Sequence, residues 1–240
     1  MGSRADKDRG IARPPRLRAV IFDLDDTLVL STVDFPKFKR LVVERLASWG
    51  EDVSLYSLNE TIVVIVNRYE GRLRAQGAEE DLVGRRLSEL DQIMDCVEME
   101  HVDESAAIQG APGLLRYLRA KGVKIGVLTR GCQAYATTAL RRTGMLELVD
   151  AIECRNSETK PKPDPEAYVR LVKALGVKKD RTLFVGDHPI DAQCARNAGV
   201  PFLAVLTGDV PEEKLREAGS VEVFATASEM EKWFRARLDD

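Results

Sequence analysis

Three carboxylates stand in Phe22-Asp23-Leu24-Asp25-Asp26-Thr27-Leu28, directly after the apolar run Ala19 to Phe22. Two carboxylates at i and i+2, held a few ångströms apart, repel each other, and a hard divalent cation with oxygen ligands neutralises such a pair. A lone Asp-x-Asp serves equally well as a helix cap or an acidic turn, so the rest of the chain has to decide between these. A second acid pair, Asp187 and Asp191, stands one helical turn apart in Val185-Gly186-Asp187-His188-Pro189-Ile190-Asp191. Between the two clusters, Thr129 follows Val123 to Leu128, and Lys160 opens the loop Lys160-Pro161-Lys162-Pro163-Asp164-Pro165.

These side chains can act together only if the elements bearing them end on one side of the molecule. Ala19 to Phe22, Val123 to Leu128, Thr182 to Val185 and Phe202 to Leu206 are short apolar runs of the kind that form buried strands, and a short strand is expected at Val221 to Phe224. Segments of helical spacing separate them, opening after Pro112 and Gly113, at Ala134 and near Pro165, with a further helix over Asp191 to Ala198 closed by Gly199. Alternation of this kind implies an α/β fold, a Rossmann-like parallel sheet with helices on both faces. In such a sheet the carboxyl ends of the strands form the ligand-binding edge. Four edges then carry an acid, a hydroxyl, a cation and an acid.

Residues 31–107 differ in kind. Phe35, Phe38, Leu41, Val42 and Leu46 share one helical face, as do Leu58, Ile62, Ile65, Tyr69 and Leu73, and again Leu82, Leu90, Ile93, Met94 and Val97. Thr61 to Val66 is β-branched enough for a strand but lies inside a longer helical stripe. The reading is an all-helical cap over 31–107, inserted after the first strand of a core made of 18–30 and 108–240, with a disordered basic tail over 1–17. Charged helix faces are ordinarily solvated, and Arg68, Arg72 and Arg74 are read that way; His101, Trp49 and Tyr69 are read as structural.

Composition narrows the partners. With 240 residues, 44% of them hydrophobic and 31% charged, the chain has enough apolar surface to fold. A net charge of -3 gives no electrostatic reason to expect nucleic acid. The cysteines, Cys96, Cys132, Cys154 and Cys194, form no zinc-type spacing and suit a reducing cytoplasm. No run reaches the ~18 apolar residues of a membrane span. The expected partner is a small molecule, and the expected state a monomer or homodimer.

In order and register, Asp23-Leu24-Asp25-Asp26-Thr27, Leu128-Thr129-Arg130, Lys160-Pro161-Lys162-Pro163-Asp164-Pro165 and Gly186-Asp187 with Asp191 resemble the four motifs of the haloacid dehalogenase-like hydrolases, in the phosphoglycolate phosphatase-like branch with a helical cap. The likeness spans about residues 19 to 207. It implies Mg2+-dependent hydrolysis of a small phosphorylated metabolite, such as phosphoglycolate or a sugar phosphate. Asp23 would be the nucleophile that forms an aspartyl phosphate, and Asp25 the general acid and base. Thr129 would bond a phosphoryl oxygen, and Lys160, chosen over Lys162 by the Lys-Pro-x-Pro-Asp spacing, would offset the charge. The metal would be held by the Asp23 carboxylate, the Asp25 carbonyl and Asp187, with Asp191 in support. Arg130 stands where the branch often has asparagine, and either meets a carboxylate or second phosphate of the substrate or pairs with a site aspartate. His188 is a supporting residue. The presence of Asp25 favours phosphate over carbon-halogen chemistry. A phosphomutase, or a non-catalytic phospho-aspartate regulatory module, would use the same groups.

Overall fold

A computed structural model of the chain describes residues 17–239; the basic tail expected over residues 1–17 lies, apart from Leu17, outside them. Strand β1 (Ala19–Phe22) is wholly buried, with Ala19 and Ile21 packed into one helical layer and Val20 and Phe22 into the other. A strand covered on both faces has no polar side, which is why its sequence is a continuous apolar run.

The chain then makes β2 (Val29–Leu30), helices α1 (Phe35–Ser48), α2 (Ile62–Ala75) and α3 (Glu80–Met99), and β3 (Ala106–Ala107). It continues as α4 (Ala111–Ala120), β4 (Lys124–Leu128), α5 (Gln133–Arg142), β5 (Ala151–Glu153), α6 (Glu166–Ala174), β6 (Thr182–Gly186), α7 (Pro189–Ala198), β7 (Phe202–Val205), α8 (Glu212–Glu217), β8 (Glu222–Phe224) and α9 (Ala227–Leu238). Six strands form one parallel sheet in the order β5-β4-β1-β6-β7-β8, so β1 lies inside the sheet between β4 and β6. Leu114, Leu118, Tyr135 and Phe234 pack on one face, from α4, α5 and α9; Tyr168, Leu171, Ala195 and Leu215 pack on the other, from α6, α7 and α8. Burying each large apolar side chain stabilises the fold by roughly 2 kcal/mol.

Helices α1 to α3 surround a separate core of Phe38, Val42, Leu46, Ile65, Tyr69, Leu90 and Met94. Thr61 to Val66 falls at the start of α2 and is helical from Ile62 onward, as the longer stripe required. The chain enters and leaves this helical unit through the antiparallel pair β2 and β3, where Val29 faces Ala107 and Leu30 faces Ala106. These two-residue strands, and the three-residue β5, leave too little pattern for a sequence reading. No described helix is long and apolar enough to cross a membrane.

Candidate active site

Asp23 continues the β1 ladder by one bond, its N–H donating to the Val185 carbonyl at 2.8 Å, so the backbone of the first acid is fixed by the sheet itself. The chain then turns sharply: Thr27, Leu28 and Val29 all donate to the Leu24 carbonyl, and Asp26 adopts φ 52. Aspartate is among the few residues that enter this left-handed region readily. Asp26 also accepts from the Ser31 N–H at 3.1 Å, so the third acid of the motif shapes the turn.

Asp23, Asp187 and Asp191 each bring one carboxylate oxygen within 4.8 Å of the others. Asp187 lies just past β6 and Asp191 in the first turn of α7. The Thr27 hydroxyl donates to Asp187 at 2.9 Å, and the His188 N–H donates to Asp191 at 3.2 Å. At Gly208 an added Cβ would collide with the Asp187 carboxylate, so that approach needs a residue without a side chain. Burial, then Asp23 and Asp191, push the Asp187 carboxyl up to about 8. Burial raises Asp23 to about 6 against the opposing pull of Lys162.

The ammonium at this cluster belongs to Lys162, which corrects the choice of Lys160. Lys162 Nζ donates to Asp23 Oδ1 at 2.5 Å and to Asp191 Oδ1 at 2.7 Å, and lies 5.6 Å from the centre of the Phe184 ring. Burial alone would lower the lysine, but Asp191 and Asp23 outweigh it and hold the ammonium well above the usual range. Lys160 is exposed. The loop contains two overlapping Lys-Pro-x-Pro registers, and only the second, Lys162-Pro163-Asp164-Pro165, runs straight into α6. That adjacency was the available signal.

Asp25 takes a different partner. Its Oδ1 accepts from the Tyr135 hydroxyl at 2.6 Å, and its carboxylate is not part of the three-acid cluster. Burial and the neighbouring Asp23 push its carboxyl up to about 7, with Tyr135 pulling the other way. A carboxyl so raised can give and take a proton near neutrality.

Thr129 directly follows β4, and its buried Oγ accepts from the Gly131 N–H at 2.9 Å, which leaves the hydroxyl proton for a ligand oxygen. Arg130 lines the same cavity, and no carboxylate among the described residues lies within ion-pair distance of it, so the expected alternative of a pair with a site aspartate is not what forms. Burial lowers the guanidinium, partly offset by the more distant Asp191 and Asp23. His188 caps α7, its Nδ1 accepting from Ile190 N at 3.2 Å, and its ring also lines the cavity.

Core and helical unit line a partly open cavity of about 610 Å³ with these groups on its floor. Phe35, Phe38, Ile62, Val66, Leu87 and Met94 contribute the facing wall. Arg68, Arg72 and Arg74 point elsewhere, paired with Glu60, Glu51, and Glu70 and Glu80 respectively. Trp49 stacks on Tyr69 at 5.6 Å, and His101 pairs with Glu104. Besides Lys162, which the spacing set aside, three contributors carry no signal in the sequence: Tyr135, Gly208 and Arg155. Arg155 bridges Asp91, Asp95 and Glu98 of α3 and also donates to the Arg130 carbonyl at 3.1 Å.

Residues 20–205 match the family model of haloacid dehalogenase-like hydrolases. A phosphoglycolate phosphatase of Rhodospirillum rubrum is 29% identical over 221 residues, covering 90% of each chain. A phosphoglycolate phosphatase of Cereibacter sphaeroides (strain ATCC 17029) is 32% identical over 192 residues, covering 79% of this chain and 85% of the relative. A solved hydrolase of the same family from Deinococcus radiodurans R1, with bound phosphate and sodium, superposes with a TM-score of 0.61 at 21% identity, covering 94% of this chain and 97% of its own. The chain belongs to the haloacid dehalogenase-like hydrolases, in their phosphoglycolate phosphatase-like branch.

Proposed function

We propose that the chain hydrolyses a small phosphate monoester through an aspartyl phosphate on Asp23, with Mg2+ as cofactor. The observation that carries this reading is Asp23 itself, gripped by Lys162 and gathered with Asp187 and Asp191 on the floor of a cavity roofed by helices. Three buried carboxylates against one ammonium leave a charge deficit that suits a hard divalent cation. Asp23, Asp187 and Asp191, with the Asp25 carbonyl, would hold it. Once bound, Mg2+ would screen the charge of Asp23 from that of the incoming phosphoryl group.

In the first step an Asp23 oxygen bonds to phosphorus, and the bond to the leaving group breaks with its electron pair on the departing oxygen. Asp25 supplies the proton to that oxygen. In the second step Asp25, now a carboxylate, takes a proton from the attacking water, and the Asp23 carboxylate departs from phosphorus. Thr129 donates to a phosphoryl oxygen, and Lys162 fills the role first assigned to Lys160 by offsetting charge on Asp23. Arg130 is a substrate contact, because a guanidinium that lines the cavity and forms no ion pair among the described residues is available to an anion. Helices α1 to α3, over residues 31–107, act as the cap that excludes water.

Phosphoglycolate and short sugar phosphates are the substrates to try first, since two relatives that match most of this chain are named for phosphoglycolate. The test is phosphate release from a metabolite panel with Mg2+. Release from a short acidic or sugar ester supports the reading; isomerisation of a sugar phosphate without release would make the protein a mutase, and no turnover of any ester would overturn it.

A further inference from the structure

Tyr135 is one of the largest fully buried side chains in the core, yet its hydroxyl reaches 110 residues back along the chain to Asp25 Oδ1, at 2.6 Å. Several features converge on this one contact. Tyr135 sits in the first turn of α5, where its N–H donates to the Cys132 Sγ at 3.4 Å. The Cys132 N–H in turn donates to Glu98 of α3 at 2.8 Å, so the start of α5 is fastened to the helical unit. Gly131 lies against the ring: an added Cβ there would stand 2.9 Å from Tyr135 Cδ1. A phenylalanine would fill the same space, so packing does not account for the hydroxyl.

We propose that Tyr135 is a positioning residue for general-acid catalysis, its hydroxyl fixing the Asp25 carboxyl for proton delivery to the leaving oxygen. This rests on the phosphatase reading above and deepens it. With Tyr135 donating to Oδ1, the proton that Asp25 transfers is carried on Oδ2. Freed from the phenol, the carboxyl can rotate about its last bond, and the fraction of complexes with the proton aimed at the leaving oxygen falls.

General-acid assistance matters in proportion to how poor the leaving group is, which supplies the test. The values of kcat/KM are measured with Mg2+ for 2,4-dinitrophenyl, 4-nitrophenyl and phenyl phosphate, using the wild-type chain, Tyr135→Phe, Asp25→Asn and the double variant. Ratios across the series do not depend on how much of a variant is folded. For Tyr135→Phe the loss with phenyl phosphate should exceed that with 2,4-dinitrophenyl phosphate by about tenfold or more, within the range that general acids contribute. The double variant should lose no more than Asp25→Asn alone. Equal losses across the series, or a double-variant loss equal to the product of the single losses, would overturn the inference. Failure of the wild-type chain to release phosphate from any of the esters would instead reject the phosphatase reading, and this inference with it.

Discussion

Lys162 stands between Asp23 and Asp191, and its buried ammonium bridges the two carboxyl groups. Removing one partner from such a cluster strands the remaining charges out of water. Lys162→Ala should therefore lower kcat/KM at least about 100-fold, the scale on which preorganised charge stabilisation acts. Lys160→Ala should stay within about threefold, as exposed substitutions do. Steady-state kinetics of the two variants side by side make the comparison, and equal effects would remove Lys162 from the mechanism. The sequence carried the acids of this site plainly, because each follows a legible apolar run. Between the two lysines the Lys-Pro-x-Pro-Asp spacing points to Lys160, because Glu166 stands where the register of Lys162 would need the aspartate, while the fold brings Lys162 to the acids. Gly208 was invisible for another reason: its requirement is the nearness of Asp187, across 21 residues of chain, and nothing local records that.

At the scale of elements, the site depends on α3 being held against the sheet edge. Arg155, just past β5, reaches three acids of α3, and Glu98 among them is buried and also takes the Cys132 N–H. Arg155→Met keeps much of the volume but strands Glu98, and should destabilise the fold by about 3 kcal/mol, the cost typical of breaking one half of a buried pair. Urea unfolding measures this, and a loss well under 1 kcal/mol would show that the bridge is not holding the two units together. Most of the architecture could be anticipated from runs and stripes: β1, β4, β6, β7 and α1 to α3 follow them, except that Leu58 of the second stripe lies exposed in the turn before α2. The pairs that matter most here could not, because Arg155 meets Glu98 across 57 residues and Tyr135 meets Asp25 across 110. Periodicity reports which face of an element is buried and is silent about which residue lies opposite.

For the molecule as a whole, the site is an accumulation of negative charge in a folded interior, and pH should reveal it. Asp187 at about 8 and Asp23 at about 6 both lie above the ordinary 3.8 of an unfolded aspartate. The folded chain thus binds these protons more tightly than the unfolded chain, so their stabilising contribution is present in full below about pH 4 and is lost as pH rises from there, by about 6 for Asp23 and by about 8 for Asp187. In EDTA the melting temperature should fall between pH 5.5 and 8.5, and Mg2+ should restore most of the loss by neutralising the same carboxylates. A metal-free melting temperature that rises across that window would contradict the charge assignment. The central claim is that Asp23 receives the phosphoryl group, and acid quenching during turnover of a 32P-labelled ester, followed by peptide mapping, tests it most directly. Label should appear on the peptide containing Asp23 and be absent from Asp23→Asn; full-rate phosphate release with no label on the protein, or with label on another residue, would contradict the account.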